Sequence, residues 1–196
     1  MKPSLSDSSL AQLFVDARTY NGFGEAPVSN DLLRKIYELA RMGPTAANTV
    51  PLRIAFVVSK EAKERLRPAL DAGNVDKTMK APVTAILAYD SMFHEHTPRL
   101  FPNNAGAKGW FADDTVRENV AKLNSSIQIG YFLLAARSLG LDCGPMGGFS
   151  RPKVDEAFFA NSTWRSSVLC NLGEGDEASI FPRNPRLSFE EACKVL

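Results

Sequence analysis

The sequence predicts a single domain that combines helices and strands, and three observations support that fold class. Amphipathic helical patterns alternate along the chain with short apolar runs that are rich in β-branched residues. The length of 196 residues is enough for one substantial hydrophobic core. Hydrophobic residues make up 44% and charged residues 23%, which is typical of a globular protein rather than a disordered one. We therefore expect one domain over residues 1–196.

Composition also limits the partners and the compartment. The formal net charge of +1 provides no basic surface for nucleic acid. No apolar run approaches the ~18 residues of a membrane span, and the N-terminal residues lack the apolar core of a signal peptide. The cysteines are Cys143, Cys170 and Cys193, whose wide spacing argues against a disulfide framework or a zinc knuckle. We expect a cytoplasmic protein with no nucleic-acid or membrane partner.

Two amphipathic helices are predicted before the first strand. The first begins at Ser8 or Ser9, and its apolar face at helical spacing consists of Leu10, Leu13, Phe14 and Ala17. The second has Ser29 as its N-cap. It ends near Met42, because Pro44 disfavours the helical conformation of the residue before it. Its predicted buried stripe consists of Leu32, Leu33, Ile36, Leu39 and Ala40.

Three apolar segments are predicted to be strands of the sheet, at residues 53–59, 83–90 and 166–173. Between the first two, residues 60–70 form a charged helix whose face we expect to be solvated. Residues 71–77 form a break and a short turn, and Pro82 stops any helix there. Ser150 caps a further helix that reaches about Ala160.

Residues 91–113 mix aromatic side chains with prolines, asparagines and glycines. This segment is too aromatic for a linker and too broken for one regular element, so we expect a lid that packs over another part of the protein. His94 and His96 have a spacing that metal ligands can have, but the sequence places no third ligand nearby. A pair of surface histidines is the simpler interpretation, and we predict no metal site.

The longest predicted helix runs from Thr115 to Leu139. It opens with a capping box, Thr115-x-x-Glu118, and Gly140 terminates it. Its apolar and small positions follow the 3.6-residue period and consist of Val116, Val120, Leu123, Ile127, Tyr131, Leu134 and Ser138. We expect a helix this long and apolar to be the spine of the core, and it is also a candidate dimer contact.

The loop at residues 43–51 is the first candidate for a ligand contact. Its small side chains allow a flat ligand to lie close to the backbone, and Thr45, Asn48 and Thr49 offer hydrogen bonds to the edge of that ligand. The same residues also suit an ordinary helix-to-strand loop, since Gly43 and Pro44 favour turns. The loop alone leaves both interpretations open.

Two basic positions are candidate anion sites. Arg18, followed by Thr19, can bind a phosphate through its planar fork of donors, although an ordinary surface arginine at a helix C-terminus explains it too. Arg183 and Arg186 precede a second capping box, Ser188-x-x-Glu191, which opens the last helix. Together with the dipole of that helix they form the other candidate site.

Two further segments can contact a ligand. Residues 141–149 offer much backbone and little side chain, so their peptide N–H groups can approach a ligand heteroatom; a strand that ends in a tight turn explains them equally. In that segment Cys143 lacks the paired histidine of a nucleophile. Asn74 and Lys77 are three residues apart, which aligns them on one helical turn. Neither a G-x-G-x-x-G fingerprint nor a Walker motif is present.

In order along the chain, these segments resemble the FMN-dependent nitroreductase family. The run Ala17-Arg18-Thr19-Tyr20-Asn21 is similar to the phosphate-binding R-S-x-R of that family, with Asn21 in place of the second arginine. Residues 43–51 are similar to its loop P-S-x-x-N-x-Q-P, with Val50 in place of glutamine. Residues 144–148 are similar to its P-x-G-G loop, and residues 185–187 to its C-terminal phosphate clamp.

The resemblance implies FMN as cofactor, NAD(P)H as electron donor and flavin N5 as the atom that carries the hydride, with no catalytic side chain assigned. It also implies an α+β fold, with a mostly antiparallel sheet flanked by helices, and an intertwined homodimer in which Pro44, Thr45 and Asn48 of the partner subunit complete a shared active site. The cofactor-binding residues that it implies are Arg18, Thr19, Asn21, Pro44, Thr45, Ala46, Asn48, Asn74, Lys77, Pro145, Met146, Gly147, Gly148, Arg183 and Arg186.

Further runs, at residues 66–70, 141–146 and 185–193, resemble the branch of the family that contains the malonic semialdehyde reductase of pyrimidine catabolism. That branch implies reduction of malonic semialdehyde to 3-hydroxypropionate. Two alternatives stay open: a nitroreductase or quinone reductase of broad specificity, and an FMN-binding module without catalysis. The segment 91–113 is where the family varies most, and it is expected to decide the substrate.

Overall fold

Four strands form the sheet at the centre of the molecule. The computed structural model describes the backbone of all 196 residues and every side chain except that of Ala105. The strands are β1 (Leu52–Val57), β2 (Val83–Asp90), β3 (Asp142–Met146) and β4 (Trp164–Gly173). Their spatial order is β1-β2-β4-β3, and every neighbouring pair is antiparallel. This architecture confirms the predicted α+β class with an antiparallel sheet.

The described chain contains eight α-helices, some of them extended by short 3-10 or π turns. They are α1 (Asp7–Leu10), α2 (Asn30–Ala40), α3 (Lys60–Leu66), α4 (Ala72–Lys80), α5 (Thr97–Leu100), α6 (Asp114–Ser138), α7 (Arg151–Phe159) and α8 (Phe189–Ala192). Gly140, with a φ of 81°, follows the end of α6 as predicted. Ser188 and Glu191 form the predicted capping box of α8.

The core has two layers, one on each face of the sheet. Strand β2 is buried along its whole length, and its side chains alternate between the two faces. Ala85 and Leu87 pack with α2 and α6, whereas Ile86 and Ala88 pack with α3 and α7. The sheet is therefore covered by helices on both sides, and ligand sites are left to its edges.

The observed helix α6 differs from the sequence prediction in two ways. Its N-cap is Asp113, whose side chain accepts a hydrogen bond from the Val116 N–H at 2.9 Å, so the helix begins before the predicted Thr115. Its inner face carries mainly small and polar side chains, and the predicted apolar stripe points largely outward, with Leu123 65% and Tyr131 41% exposed. The helix does lie over the sheet, but the face predicted to be buried is largely the exposed one.

The N-terminal helix also differs from the prediction. Ser6 is the N-cap of α1, because its hydroxyl accepts from the Ser9 N–H at 3.2 Å, and a π turn at Ala11–Val15 continues the helix. None of the predicted apolar face is fully buried, and Phe14 is exposed. The segment is attached to the end of α6, where Gln12 Nε2 donates to the Arg137 carbonyl oxygen at 2.7 Å.

The region between residues 39 and 80 holds three smaller corrections. Helix α2 ends at Ala40 rather than Met42, and Leu39 is exposed. Residues 72–80 form a helix of nine residues where only a short turn was predicted. The charged helix α3 is not wholly solvated, because Lys63 is buried beneath it.

Residues 91–113 fold as three short helical segments, Phe93–His96, α5 and Ala105–Phe111. The rings of Phe93 and Phe111 are both buried and meet edge to face, with centroids 5.1 Å apart. They pack against Tyr89 at the end of β2 and against Ala121 of α6. The segment thus packs over other elements, and its role as a lid over a substrate stays a prediction.

Candidate functional site

A basic pocket lies where the end of the first helical segment meets the C-terminal tail. Its volume is about 440 Å³. Its lining consists of Phe14, Ala17, Arg18, Thr19, Asn21, Arg137, Phe181, Pro182, Arg183, Asn184 and Arg186. Four of these residues are arginines, and the described lining contains no carboxylate. Such a set of charged N–H donors suits an anion with several oxygen atoms, such as a phosphate.

Arginines on both sides hold the pocket together. Arg18 donates from Nη2 to the carbonyl oxygen of Phe181 in the tail. In the opposite direction, Arg183 Nη2 donates to the carbonyl oxygens of Val15 at 2.6 Å and Ala17 at 3.2 Å. The two predicted anion sites, which are far apart in sequence, are thus two walls of one pocket.

Sequence reasoning missed Arg137, which lines the same pocket from the last turn of α6. Its Nη1 donates to the carbonyl oxygen of Leu13 at 3.1 Å, which connects the end of α6 to the first helical segment. A cation in the last turn of a long helix is favoured by the helix dipole, so the sequence offered no direct reason to expect Arg137 in a binding pocket. Its position beside Gly140, where α6 had to end, was the available signal.

Asn21 connects the basic pocket to helix α4. Its backbone N–H donates to Ser179 Oγ at 3.3 Å, and its side-chain oxygen accepts from Lys77 Nζ at 3.2 Å. Burial lowers the pKa of Lys77. The asparagine that replaces an arginine of the family motif therefore orients a neighbouring lysine and still lines the pocket.

Helix α4 presents Asn74 and Lys77 on one turn, as their spacing predicted. Asn74 Nδ2 donates to the carbonyl oxygen of Gly148 at 2.7 Å, which fixes the loop after β3. A Cβ atom on Gly148 would come within 2.6 Å of that nitrogen, so a larger residue would displace the Asn74 side chain. A Cβ atom on Gly147 would meet nothing within 4 Å, so the space beside Gly147 is open to a ligand.

Pro145 and Met146, two further predicted site residues, belong to the last part of β3. Met146 is buried, and its sulfur lies 3.6 Å from Thr78 Oγ1 of α4. Its side chain therefore joins α4 to β3 in the interior. Any contact of these two residues with a ligand would come from the backbone that leads into Gly147.

The loop at residues 43–51 does not reach the basic pocket. Its Asn48 and Val50 line a second cavity of about 600 Å³, which lies along β1 and the segment 91–113. Asn48 Nδ2 donates to the carbonyl oxygen of Leu100 at 2.8 Å, so the loop is tied to the predicted lid. Within one chain, the predicted site residues form two separate groups: the loop, with Pro44, Thr45, Ala46 and Asn48, and all the others.

The other side chains of reactive types, Cys143, His94 and His96, lie beside groups of the protein itself. Cys143 is buried, and its thiol lies 3.9 Å from the Leu133 carbonyl oxygen. Burial lowers the pKa of His94, and His96 Nε2 lies 3.6 Å from Asp90 Oδ2. The described residues contain no group of three or more His, Cys, Asp or Glu placed to hold a metal ion. Among those residues there is also no helix with the length and hydropathy of a membrane span.

Comparison with known proteins finds relatives that match most of the chain. The model of the Nitroreductase family matches residues 16–174. A protein of Ralstonia nicotianae, provisionally named an NADH dehydrogenase/NAD(P)H nitroreductase, is 53% identical over 195 residues, which cover 99% of this chain and 100% of that protein.

Solved structures of lower identity share the fold. A provisionally named nitroreductase of Exiguobacterium sibiricum, solved in complex with FMN, superposes with a TM-score of 0.87 over 100% of both chains at 17% identity. A Staphylococcus epidermidis protein, provisionally named an NAD(P)H:FMN oxidoreductase, has a TM-score of 0.82 over 100% of this chain and 99% of its own, at 16% identity.

Proposed function

We propose that this chain, which belongs to the Nitroreductase family, is an FMN-dependent oxidoreductase that moves a hydride from NAD(P)H to a small oxidised substrate. One observation carries the proposal: the basic pocket is continuous, through Asn21 and Lys77, with the polar turn of α4 and the Gly148 peptide. When bound, FMN supplies the two-electron redox chemistry, and the protein supplies position and electrostatics.

The basic pocket fits the phosphate end of FMN. It combines four guanidinium groups with the hydroxyl of Thr19 and the amide of Asn21. Each charge-assisted hydrogen bond to a phosphate contributes about 1.5–3 kcal/mol, and Arg18, Arg183 and Arg186 are the groups proposed to make them. Some N–H groups of Arg18 and Arg183 already bond the tail to the first helical segment. The pocket is therefore held together before a phosphate binds, and binding requires little rearrangement of these side chains.

The turn of α4 and the loop after β3 fit the ring system. Asn74 and Lys77 provide donors for a polar edge, and the Lys77 ammonium favours any negative charge that develops there on reduction. The open side of Gly147 leaves room for a flat ring, while the Gly148 peptide is held by Asn74. No side chain here is assigned as proton donor. These residues bind and orient, and they tune the potential through charge.

We also propose a homodimer in which the loop of one chain completes the site of the other. Three features support it. The outer face of α6 exposes apolar side chains, β1 is an edge strand of the described sheet, and residues 181–196 are exposed throughout. The tail nevertheless carries large apolar side chains at Phe181, Leu187, Phe189, Val195 and Leu196. An exposed apolar tail and an exposed apolar helix face fit an intertwined pair of chains.

For the substrate we propose malonic semialdehyde, on the strength of the runs at residues 66–70, 141–146 and 185–193. The cavity along β1 supports a small anion, because the predicted lid contributes Arg99 and His96 to it beside Asn48. The same cavity also contains Tyr37, Phe56 and Trp164, and this aromatic lining favours the second candidate, a nitroreductase or quinone reductase of broad specificity. We place the protein in the cytoplasm, where NAD(P)H is available and free cysteines persist.

An anaerobic titration tests the proposal. Purified protein with added FMN is titrated with NADH and then with NADPH, and the flavin absorbance near 450 nm is followed, since the visible band belongs to the cofactor. We expect bleaching by a reduced nicotinamide and recovery of colour on addition of malonic semialdehyde. Recovery only with nitroaromatics or quinones would select the second candidate. Flavin that binds but never bleaches would indicate a binding module, and protein that binds no FMN would refute the proposal.

A further inference from the structure

We propose that Asn124 and Gln128, two buried amides on the inner face of α6, are positioning residues that hold the loop 43–51 in the conformation it needs to meet the flavin of a second chain. This inference rests on the proposed function and assigns a role to residues that are far from the basic pocket. Both side chains are almost fully buried, with 3% and 0% of their surface exposed.

The two amides hold the two ends of the loop. Asn124 Oδ1 accepts a hydrogen bond from the backbone N–H of Ala46 at 2.8 Å. Gln128 Oε1 accepts one from the backbone N–H of Leu52, the first residue of β1, at 3.0 Å. Residues four apart on a helix lie one turn apart on the same face. The chain from Ala46 to Leu52 is therefore anchored along one turn of α6.

The loop needs such anchors because its backbone is strained. Ala47, Asn48 and Val50 have φ values of 48°, 50° and 41°, a region that residues with a side chain rarely adopt. The β-branched side chain makes Val50 the most strained of the three. Strained backbone of this kind persists only where the surrounding structure holds it. Three other side-chain hydrogen bonds also hold the loop: the Val50 N–H donates to Thr45 Oγ1 at 3.1 Å, Asn48 Nδ2 donates to the Leu100 carbonyl oxygen at 2.8 Å, and Arg53 Nη1 donates to the Val50 carbonyl oxygen at 2.9 Å. The amides of α6 add bonds to Ala46 and Leu52, which flank the strained residues.

Polar side chains are a costly choice for this face of the helix. Both polar atoms of the Asn124 side chain are hydrogen-bonded, since its Nδ2 also donates to the Val120 carbonyl oxygen at 2.8 Å. In contrast, Gln128 Nε2 is buried and has no partner among the described residues. A methionine of similar shape would avoid burying this unpaired donor. The glutamine therefore contributes an acceptor for the loop at the expense of an unsatisfied nitrogen, which indicates a role in loop geometry rather than in packing.

The same helix also carries the surface that we assign to the dimer. Leu123 and Ile127 lie one position before the two amides and are exposed. Tyr131 lies one turn further along α6. Its ring packs closely against Gly43 at the start of the loop, where an added Cβ atom would lie 3.0 Å from the ring. Helix α6 thus holds the loop from one face and offers a contact to the second chain with the adjacent face, so the loop is presented where the two chains meet.

The test compares Gln128→Met, which keeps the shape and removes the acceptor, with Gln128→Glu, which keeps an acceptor oxygen. Measurements at pH 6 favour the protonated, neutral form of a buried carboxyl. Ser126→Ala is the matched control, because Ser126 is exposed on the same helix and its hydroxyl bonds only within the helix. The readouts are the FMN Kd, the sedimentation state, and hydrogen exchange of residues 46–52 in flavin-free protein.

We expect Gln128→Met to remain a dimer, to exchange the amides of residues 46–52 about tenfold faster, and to bind FMN about tenfold more weakly. Gln128→Glu should keep both the exchange rate and the FMN Kd close to those of the wild type. Faster exchange with an unchanged FMN Kd would overturn the inference, because the amide would then be merely structural. Unchanged exchange and unchanged Kd would overturn it as well. Wild-type protein that binds no FMN would instead refute the proposed function, whatever the exchange data show.

Discussion

Lys63 Nζ donates a hydrogen bond of 2.6 Å to Thr84 Oγ1 in the interior of the protein, where the lysine is only 3% exposed. Its other partner is the carbonyl oxygen of Thr78 at 2.8 Å, in the C-terminal turn of α4. The described residues provide it with hydrogen-bond acceptors but with no ion pair. Burial without a counter-charge lowers the pKa of Lys63 from its ordinary value of 10.5 to about 8.

This buried lysine predicts a pH-dependent stability. Between about pH 8 and 10.5 the unfolded chain keeps the proton that the folded protein has lost, so stability rises with pH across that window. Below pH 8 the destabilisation is complete, and it amounts to about 3 kcal/mol. The free energy of unfolding of wild type minus that of Lys63→Met should therefore increase by up to about 3 kcal/mol from pH 7 to pH 10.5.

Urea unfolding at pH 7, 8.5 and 10 measures that difference. Lys60→Met is the control, because it removes an exposed lysine from the start of the same helix and leaves the buried Lys63 in place. A wild-type minus Lys63→Met difference that does not change between pH 7 and pH 10 would show that the folded protein keeps Lys63 charged throughout.

Arg18→Ala is predicted to weaken FMN binding by about ten- to a hundredfold, the loss expected for one charge-assisted contact to a phosphate. Arg18 lines the basic pocket and also fixes the tail through the Phe181 carbonyl oxygen. Isothermal titration of flavin-free protein measures the Kd. Arg34→Ala removes an exposed arginine from α2, outside this pocket, and should leave the Kd unchanged. An unchanged Kd for Arg18→Ala would remove the pocket from the proposed site.

The elements were predictable where the local pattern decides the structure. Three of the four strands were predicted, because runs such as β2 are apolar and rich in β-branched residues, whereas the segment of β3 was left open between a strand and a ligand loop. Gly140 and the Ser188 capping box marked helix ends correctly. Helix α6 was located but placed with the wrong face inward. Its period of 3.6 identifies an apolar stripe, yet hydrophobicity is the same whether that stripe packs inside one chain or against another.

The candidate site was predictable as a set of motifs but not as an arrangement. The residues alone made Arg18 and Arg183 separate anion candidates, the family resemblance assigned both segments to FMN, and the fold does bring them to one pocket. Asn124 and Gln128 were invisible, because a polar residue in a helix normally faces water. Their role depends on the backbone N–H groups of a loop that is remote in sequence, and no pattern within α6 records those partners.

Leu123→Asp is predicted to dissociate the proposed dimer. Leu123 is the most exposed apolar side chain of α6, and a carboxylate there would lose its hydration if a second chain covered it. Sedimentation velocity at micromolar protein should show a monomer with much weaker flavin binding. Lys60→Asp, on the solvated start of α3, introduces a carboxylate elsewhere and should keep the dimer. A Leu123→Asp dimer with normal flavin binding would exclude this face of α6 from the interface.

Val50→Asn is predicted to stabilise the protein. Val50 has a φ of 41°, and a β-branched residue in that region raises the energy of the folded state by about 1–2 kcal/mol. Asparagine tolerates the left-handed region and is of similar size, so the free energy of unfolding should rise by about 1 kcal/mol, which urea unfolding measures. Val58→Asn alters an exposed valine that has no positive φ, and it should give no gain. If both variants shift stability equally, the loop backbone is not strained at Val50, and the anchoring role of Asn124 and Gln128 loses its reason.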